Sequence, residues 1–196
     1  MKKIIIPAIS LLLIIMILLI FTLIPSTKQI TSSTEIEVIK QDSNLDILVN
    51  LNNFSKESYS EEKLLDVAMQ YASKLNLINE QSTDDTYIQY VEKETLHNLI
   101  FELTGVKIDA PIEIEDFYYL YDSENKYYYY IGLPTSYYYV SNINSIERKN
   151  NTYFINCSIE KGNESEIEVF SNVSIVLNRI TDNSLISYQV QSIDIK

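Results

Sequence analysis

From Ile4 to Ile24 the chain reads IIIPAISLLLIIMILLIFTLI, twenty-one residues without a charged side chain. As an α-helix that run is about 31 Å long, the thickness of a bilayer's hydrocarbon core. Lipid offers no partners to backbone N–H and C=O groups, so a helix is the economical way across. Pro7 falls in the first turn, where its missing N–H costs little, and Pro25 marks the exit. The apolar core is longer than that of a cleavable signal peptide, and TLIPSTKQ offers no small-x-small cleavage site. Lys2 and Lys3 precede the run, which places the N-terminus on the cytoplasmic side and the bulk of the chain outside. Residues 1–25 are therefore expected to be a cytoplasmic tip and membrane anchor of a single-pass cell-membrane protein.

Charge divides at the same point. Beyond the run lie thirteen basic and all twenty-seven acidic residues, a formal −14. Such a surface disfavours nucleic acid and anionic headgroups as partners. Only two arginines are present, Arg148 and Arg179, so phosphate recognition by bidentate clamps is not expected. Cys157 is the single cysteine; it alternates with Tyr153, Ile155 and Ile159 and reads as an inert thiol on the buried face of a strand. Stability must then come from a packed core rather than from internal disulfides.

Residues 26–57 are polar with no sustained helical period, and read as a stalk from membrane to domain with a short ordered piece around Leu45–Leu51 packing on the domain. The extracytoplasmic domain is expected over 58–196. Ser58 and Glu61 have capping-box spacing. Leu64, Val67, Ala68, Tyr71, Ala72 and Leu75 then share a helical face. A second helix is expected from Thr86 to Thr104, with Val91, Thr95, Leu99 and Leu103 in line, closed by Gly105 at a left-handed position. His97, the one histidine, has no ligand-spaced neighbour and reads as an ordinary helix residue.

From residue 112 the period changes to two, and β-branched and aromatic residues dominate. Asn150–Asn151, Gly162–Asn163 and Asp182–Asn183 supply turn chemistry between strands. In the last strand Ile186, Tyr188 and Val190 share one parity while Ile193 and Ile195 take the other, which predicts a bulge near Gln191–Ser192. The fold class is α+β: after the transmembrane helix, two or three helices pack on one face of a curved antiparallel sheet of about five to six strands. This element order resembles the nuclear transport factor 2-like superfamily, which implies a cone-like sheet wrapped around N-terminal helices and, because that superfamily hosts many functions, no activity. Glu102-Leu103-Thr104-Gly105, followed by Tyr118-Tyr119 and the Tyr127–Tyr130 run, resembles uncharacterised membrane-anchored or lipid-linked extracytoplasmic proteins of low-GC Gram-positive bacteria. Those relatives often carry a lipobox cysteine, which this chain lacks.

No pattern for nucleophilic catalysis is present: none of the three glycines flanks a serine as a nucleophile elbow requires. Zincin and P-loop patterns are also missing, and no cofactor or metal is expected. The acids Glu113, Glu115, Asp116, Asp122 and Glu124 gather around the first strands. They leave open a hydrolase acting on wall polymer through paired carboxylates.

The richest segment is KYYYYIGLPTSYYYV, residues 126–140. Ten of the sixteen tyrosines fall at Tyr118, Tyr119, Tyr121, Tyr127, Tyr128, Tyr129, Tyr130, Tyr137, Tyr138 and Tyr139. In a strand they alternate between faces, so a one-sided sheet buries half of them and the rest must meet solvent or a partner. If Ile131–Thr135 makes the turn, Tyr137–Tyr139 could pair with Tyr127–Tyr130 in rows of phenol rings. A/T-rich codons and strand propensity also explain so many tyrosines. The leading expectation is a non-enzymatic, membrane-anchored domain whose tyrosines form a platform for an envelope protein, a peptide or a glycan. The alternatives are the hydrolase above and a structural subunit of a membrane complex.

Overall fold

The computed structural model describes residues 27–83, 86–113, 119–130, 137–162, 167–180 and 184–195. The apolar run at Ile4–Ile24 lies outside them. Among the described residues no helix is long and apolar enough to cross a membrane.

Among the described residues the fold is α+β, with four helices packed against antiparallel sheets. The helices are α1 (Ser33–Asp42), α2 (Leu45–Leu48), α3 (Glu61–Lys74) and α4 (Lys93–Thr104). The strands are β1 (Lys28–Ile30), β2 (Phe54–Ser55), β3 (Asn79–Thr83), β4 (Thr86–Glu92), β5 (Tyr119–Asp122), β6 (Tyr127–Tyr130), β7 (Tyr137–Lys149), β8 (Thr152–Gly162), β9 (Ile167–Arg179) and β10 (Tyr188–Ile195). They form a six-stranded sheet, β1-β7-β8-β9-β10-β2, and a four-stranded sheet, β3-β4-β6-β5.

The large sheet follows its residue pattern. Tyr153, Ile155, Cys157 and Ile159 on β8 point into the core with Val173, Ile175 and Leu177 on β9 and Val190 and Ile193 on β10. Burial pushes the Cys157 thiol up to about 12, which keeps it protonated and unreactive. The turn from β7 to β8 places Asn150 in the left-handed region at φ 56°, as its residue type suits. The register between β9 and β10 shifts between Val190 and Ser192, the bulge that the change of parity anticipates. Gly162 on β8 pairs with Ile167 on β9; the turn residues expected at Asn163 and at Asp182–Asn183 lie outside the described set, within 163–166 and 181–183.

Three expectations are corrected. First, residues 28–55 are more than a stalk: the ordered piece around Leu45–Leu51 packs on the domain as expected, with Leu45, Leu48, Val49 and Leu51 buried in the common core, but β1, α1 and β2 are ordered as well and Phe54 joins that core. Their apolar residues are interleaved with Asn and Asp that have structural work of their own. Asn50 accepts the Tyr138 N–H at 2.9 Å and donates to the Tyr138 carbonyl at 3.2 Å. Asp46 accepts the Val140 N–H at 2.8 Å, and Lys40 donates to the Val140 carbonyl at 3.3 Å. These side chains stand in for a neighbouring strand along the part of β7 that β1 does not reach, since β1 pairs only with Ile146–Arg148.

Second, the helix expected from Thr86 begins at Lys93; Thr86–Glu92 is β4, paired on one side with β3 and on the other with β6. Alternating Thr, Ile, Tyr and Val there favour the pleat over the helix. Likewise the capping serine of α3 is Ser60, which accepts the Lys63 N–H, because Ser58 is engaged in a bridge with Ser55. Gly105 does close α4, at φ 71°, where a Cβ would also meet the Lys56 ammonium at 2.8 Å.

Third, the described strands form two sheets rather than one, and Tyr127–Tyr130 does not pair with Tyr137–Tyr139. β6 lies between β4 and β5 in the small sheet, while β7 lies in the large one.

Candidate functional site

The small sheet sorts the tyrosines by parity. On its inner face Val91, Tyr119 and Tyr128 are buried. Tyr119 donates to the Asp66 carboxylate on α3 at 2.6 Å. Burial pushes the Asp66 carboxyl up from the ordinary range, against the hydrogen bonds from Tyr119 and Gln70. Tyr121 is half-buried beside Tyr128, with ring centroids 5.0 Å apart.

Tyr128 forms the centre of a polar chain within this inner face. His97 Nδ1 lies 2.9 Å from the Ile108 carbonyl and Nε2 lies 3.1 Å from the Tyr128 hydroxyl. A carbonyl only accepts, so the proton sits on Nδ1, and Nε2 accepts from Tyr128. The Tyr128 oxygen in turn accepts the Ile112 N–H at 2.7 Å. One phenol thus ties α4, β6 and the segment after Gly105 together. Burial raises the Tyr128 phenol to about 12.

The same chain makes protonation of His97 unfavourable, since a second ring N–H would face a hydroxyl already oriented toward it. Burial lowers the imidazole's pKa from 6.5; Lys93 lowers it further, while the Ile108 hydrogen bond, Asp109 and Glu61 raise it. Below pH 6.5 the unfolded chain takes up this proton more readily than the folded one. Stability is therefore fully present above pH 6.5 and is expected to fall as pH drops from there toward the lower folded value. Denaturant unfolding at pH 7.5 and 5.5 checks this, and His97→Gln should flatten that part of the profile. His97 is the chain's single histidine, so no other imidazole contributes.

On the outer face, register places Tyr90, Tyr127 and Tyr129 on one side of the sheet with Leu120, Asp122 and Glu92. Tyr90 and Tyr127 stack at 4.5 Å with 28° between their planes. Tyr129 meets both rings edge-on, at 6.2 Å from Tyr90 and 6.5 Å from Tyr127. All three remain partly open to solvent, and Leu120 beside them is 55 % exposed. Acidic groups border the rings. Glu92 is exposed opposite Tyr127, and Asp122 accepts the Tyr129 hydroxyl at 3.3 Å. Desolvation and the Asp122 carboxylate push the Tyr129 phenol up. Asp122 is itself held by the turn to β6: it accepts from the side chain and N–H of Asn125 and the N–H of Glu124, which lower its pKa.

The predicted platform residues therefore separate. Tyr127 and Tyr129 share the outer face, Tyr119 and Tyr128 are core, and Tyr121 leans on the core. Tyr138 and Tyr139 belong to the large sheet, where Tyr138 lies 5.8 Å from the Phe170 ring and Tyr139 donates to Glu160 at 2.5 Å. Tyr130 pairs through its backbone with Gln89 and Tyr119, and Tyr137 with Gly162; their side chains and all of Tyr118 lie outside the described set. Tyr90 was missed because its segment reads as helix. The signal was present in TYIQYV, where tyrosine and β-branched residues alternate.

Of the hydrolase acids, Glu113 is exposed and Glu115 and Asp116 lie outside the described residues. Among the described residues no three His, Cys, Asp or Glu side chains gather in a way that could hold a metal ion. No protein-family model, no curated protein and no solved structure matches this chain.

Proposed function

We propose that the chain is a membrane-anchored, extracytoplasmic and non-enzymatic interaction module that grips a cationic polypeptide surface through the outer face of its small sheet. The observation that carries this reading is the packed trio Tyr90, Tyr127 and Tyr129, partly open to solvent and bordered by Asp122 and Glu92. The surface belongs to a pleated sheet rather than a concave pocket, which suits a protein surface better than a small molecule. Phenol rings offer apolar area with polar tips at little cost in conformational entropy. Their faces attract guanidinium and ammonium groups, and the neighbouring carboxylates add charge complementarity. The anchor rests on the uncharged run Ile4–Ile24 after Lys2 and Lys3, and the outward orientation on the positive charge before that run. A curved sheet like that of the nuclear transport factor 2-like superfamily is the finer fold we favour; register shifts in β7, β8 and β10 support it.

The test uses the full chain in detergent micelles and a fluorescently labelled arginine-rich peptide as probe. Tyr90→Ala/Tyr127→Ala/Tyr129→Ala removes the rings but leaves every formal charge, so long-range attraction is unchanged. The triple variant is expected to weaken binding about tenfold or more, from roughly 0.5–1 kcal/mol per exposed cation–π contact. Equal binding by the triple variant and the parent would overturn the reading.

A further inference from the structure

The chain's only two arginines, far apart in sequence, line the same cleft. It has a volume of about 350 Å³ and lies between α1 and the end of the large sheet where β7, β8, β9 and β10 meet. Arg148 on β7 pairs with Tyr153 on β8, and Arg179 on β9 pairs with Tyr188 on β10. The Arg148 guanidinium stacks over the Tyr153 ring at 5.4 Å, and Tyr153 meets Tyr188 edge-on at 5.4 Å. The sheet side of the cleft is therefore cationic with an aromatic floor. The opposite wall, α1, presents Glu35 and Asp42, with Val38 and Ile39 between them.

Two walls of opposite charge would ordinarily close on each other. Here no salt bridge crosses: among the described residues the ion pairs are Lys40–Asp46 and Lys107–Asp109. Arg148 uses its Nε–H on the Asn150 carbonyl at 2.7 Å, which leaves its two terminal amino groups directed elsewhere. The tyrosine floor beneath them is fixed, since both of its residues are buried in the common core. The charges thus face one another across the cleft without an ion pair between them. Neither a simple anion nor a simple cation fits such a gap well, because each would face one wall of like charge. A ligand carrying both charges faces two favourable walls.

We propose that this cleft binds a free α-amino acid with an apolar side chain: its carboxylate on Arg148 and Arg179, its ammonium on Glu35 and Asp42, and its side chain on Tyr153 and Tyr188. The cleft volume sits at the small end of the range for ligand pockets, which suits one residue rather than a folded partner. Guanidinium forks match carboxylate geometry, which explains arginine here in a chain that otherwise uses lysine. The site is separate from the tyrosine face of the small sheet, and its test does not depend on that reading.

The experiment is calorimetric titration of the full chain in micelles with three probes. L-Phenylalanine carries both charges, phenylacetate lacks the ammonium, and phenethylamine lacks the carboxylate. Saturable binding of L-phenylalanine is expected, with each truncated probe weaker by about tenfold or more, the effect of losing one charge-assisted contact. Arg179→Gln should weaken L-phenylalanine by a similar factor while leaving phenethylamine unchanged, and Asp42→Asn should do the converse for phenylacetate. Arg179→Lys, which keeps the charge and loses the fork, should fall between parent and Arg179→Gln and replaces it if the glutamine variant does not fold. Phenylacetate binding as tightly as L-phenylalanine would overturn the proposal in favour of a plain anion site. No saturable response to any probe at millimolar concentration would overturn it outright.

Discussion

Replacing Asn50 with alanine is expected to lower the unfolding free energy by about 2–4 kcal/mol, out of a total of roughly 5–15 kcal/mol for a domain of this kind. The side chain is buried and works as a backbone surrogate: its carbonyl oxygen takes the Tyr138 N–H and its amide group serves the Tyr138 carbonyl. The same amide group also contacts the carbonyls of Asp46 and Ile47 at 3.0 and 3.2 Å. Truncation leaves several backbone groups without partners at a place where water enters poorly, and each such group costs about 1–3 kcal/mol. Asn50→Asp separates the two halves of the effect, because it retains an acceptor for the Tyr138 N–H and places a carboxylate against the Tyr138 carbonyl. It should be nearly as damaging as alanine. Urea unfolding monitored by tyrosine fluorescence measures both, and a loss below about 0.5 kcal/mol for Asn50→Ala would show that the edge of β7 does not depend on this residue.

The second large effect is expected at Tyr128, and its contrast with Tyr127 is the informative part. Tyr128→Phe keeps the ring in its fully buried place but removes the oxygen that accepts from Ile112 and donates to His97. The Ile112 N–H and His97 Nε2 both lose their partner, at an expected cost of about 2–4 kcal/mol. The variant should also weaken the dependence of stability on pH near 6.5, since Nε2–H would no longer confront a hydroxyl fixed as its donor. Tyr127→Phe, one residue earlier and on the opposite face, should change stability by less than about 0.5 kcal/mol. Equal losses at the two positions would mean that the alternation of the run does not govern its energetics.

Much of the large sheet was legible because its information is local. Cys157 sits among alternating apolar residues, the parity change after Val190 marks the bulge, and Asn150 and Gly105 occupy the left-handed positions their residue types favour. Partner choice is not local. Tyr127–Tyr130 could pair with any strand that offers matching parity, and the choice of β4 and β5 over β7 is made by the packing of Tyr119 and Tyr128 against α3 and α4. Residues 28–55 concealed their role for a different reason: Asn50 and Asp46 look like linker residues until the strand edge they complete is known. The candidate site was half legible. Alternation predicted that the tyrosines must divide between two faces, but Tyr90 reaches the outer one only through β4. Arg148 and Arg179 are thirty-one positions apart in sequence, and only the order of β7, β8, β9 and β10 brings them to one cleft.

The position of β1 sets the length of the leash. With Ile4–Ile24 in the bilayer as proposed, the first described strand opens at Lys28, and the four Cα steps from Ile24 span at most about 14 Å. A flexible stalk over residues 26–57 would instead let the domain wander over roughly 30 Å. On that proposal β1 would start within about 14 Å of the anchor's exit, and lateral diffusion of the anchor would carry the large sheet within a thin layer. For a domain of this size that layer is about 40 Å deep. On the same proposal, a partner of the tyrosine face would come into that layer, as a neighbour in the same membrane or a polypeptide that passes close to its surface.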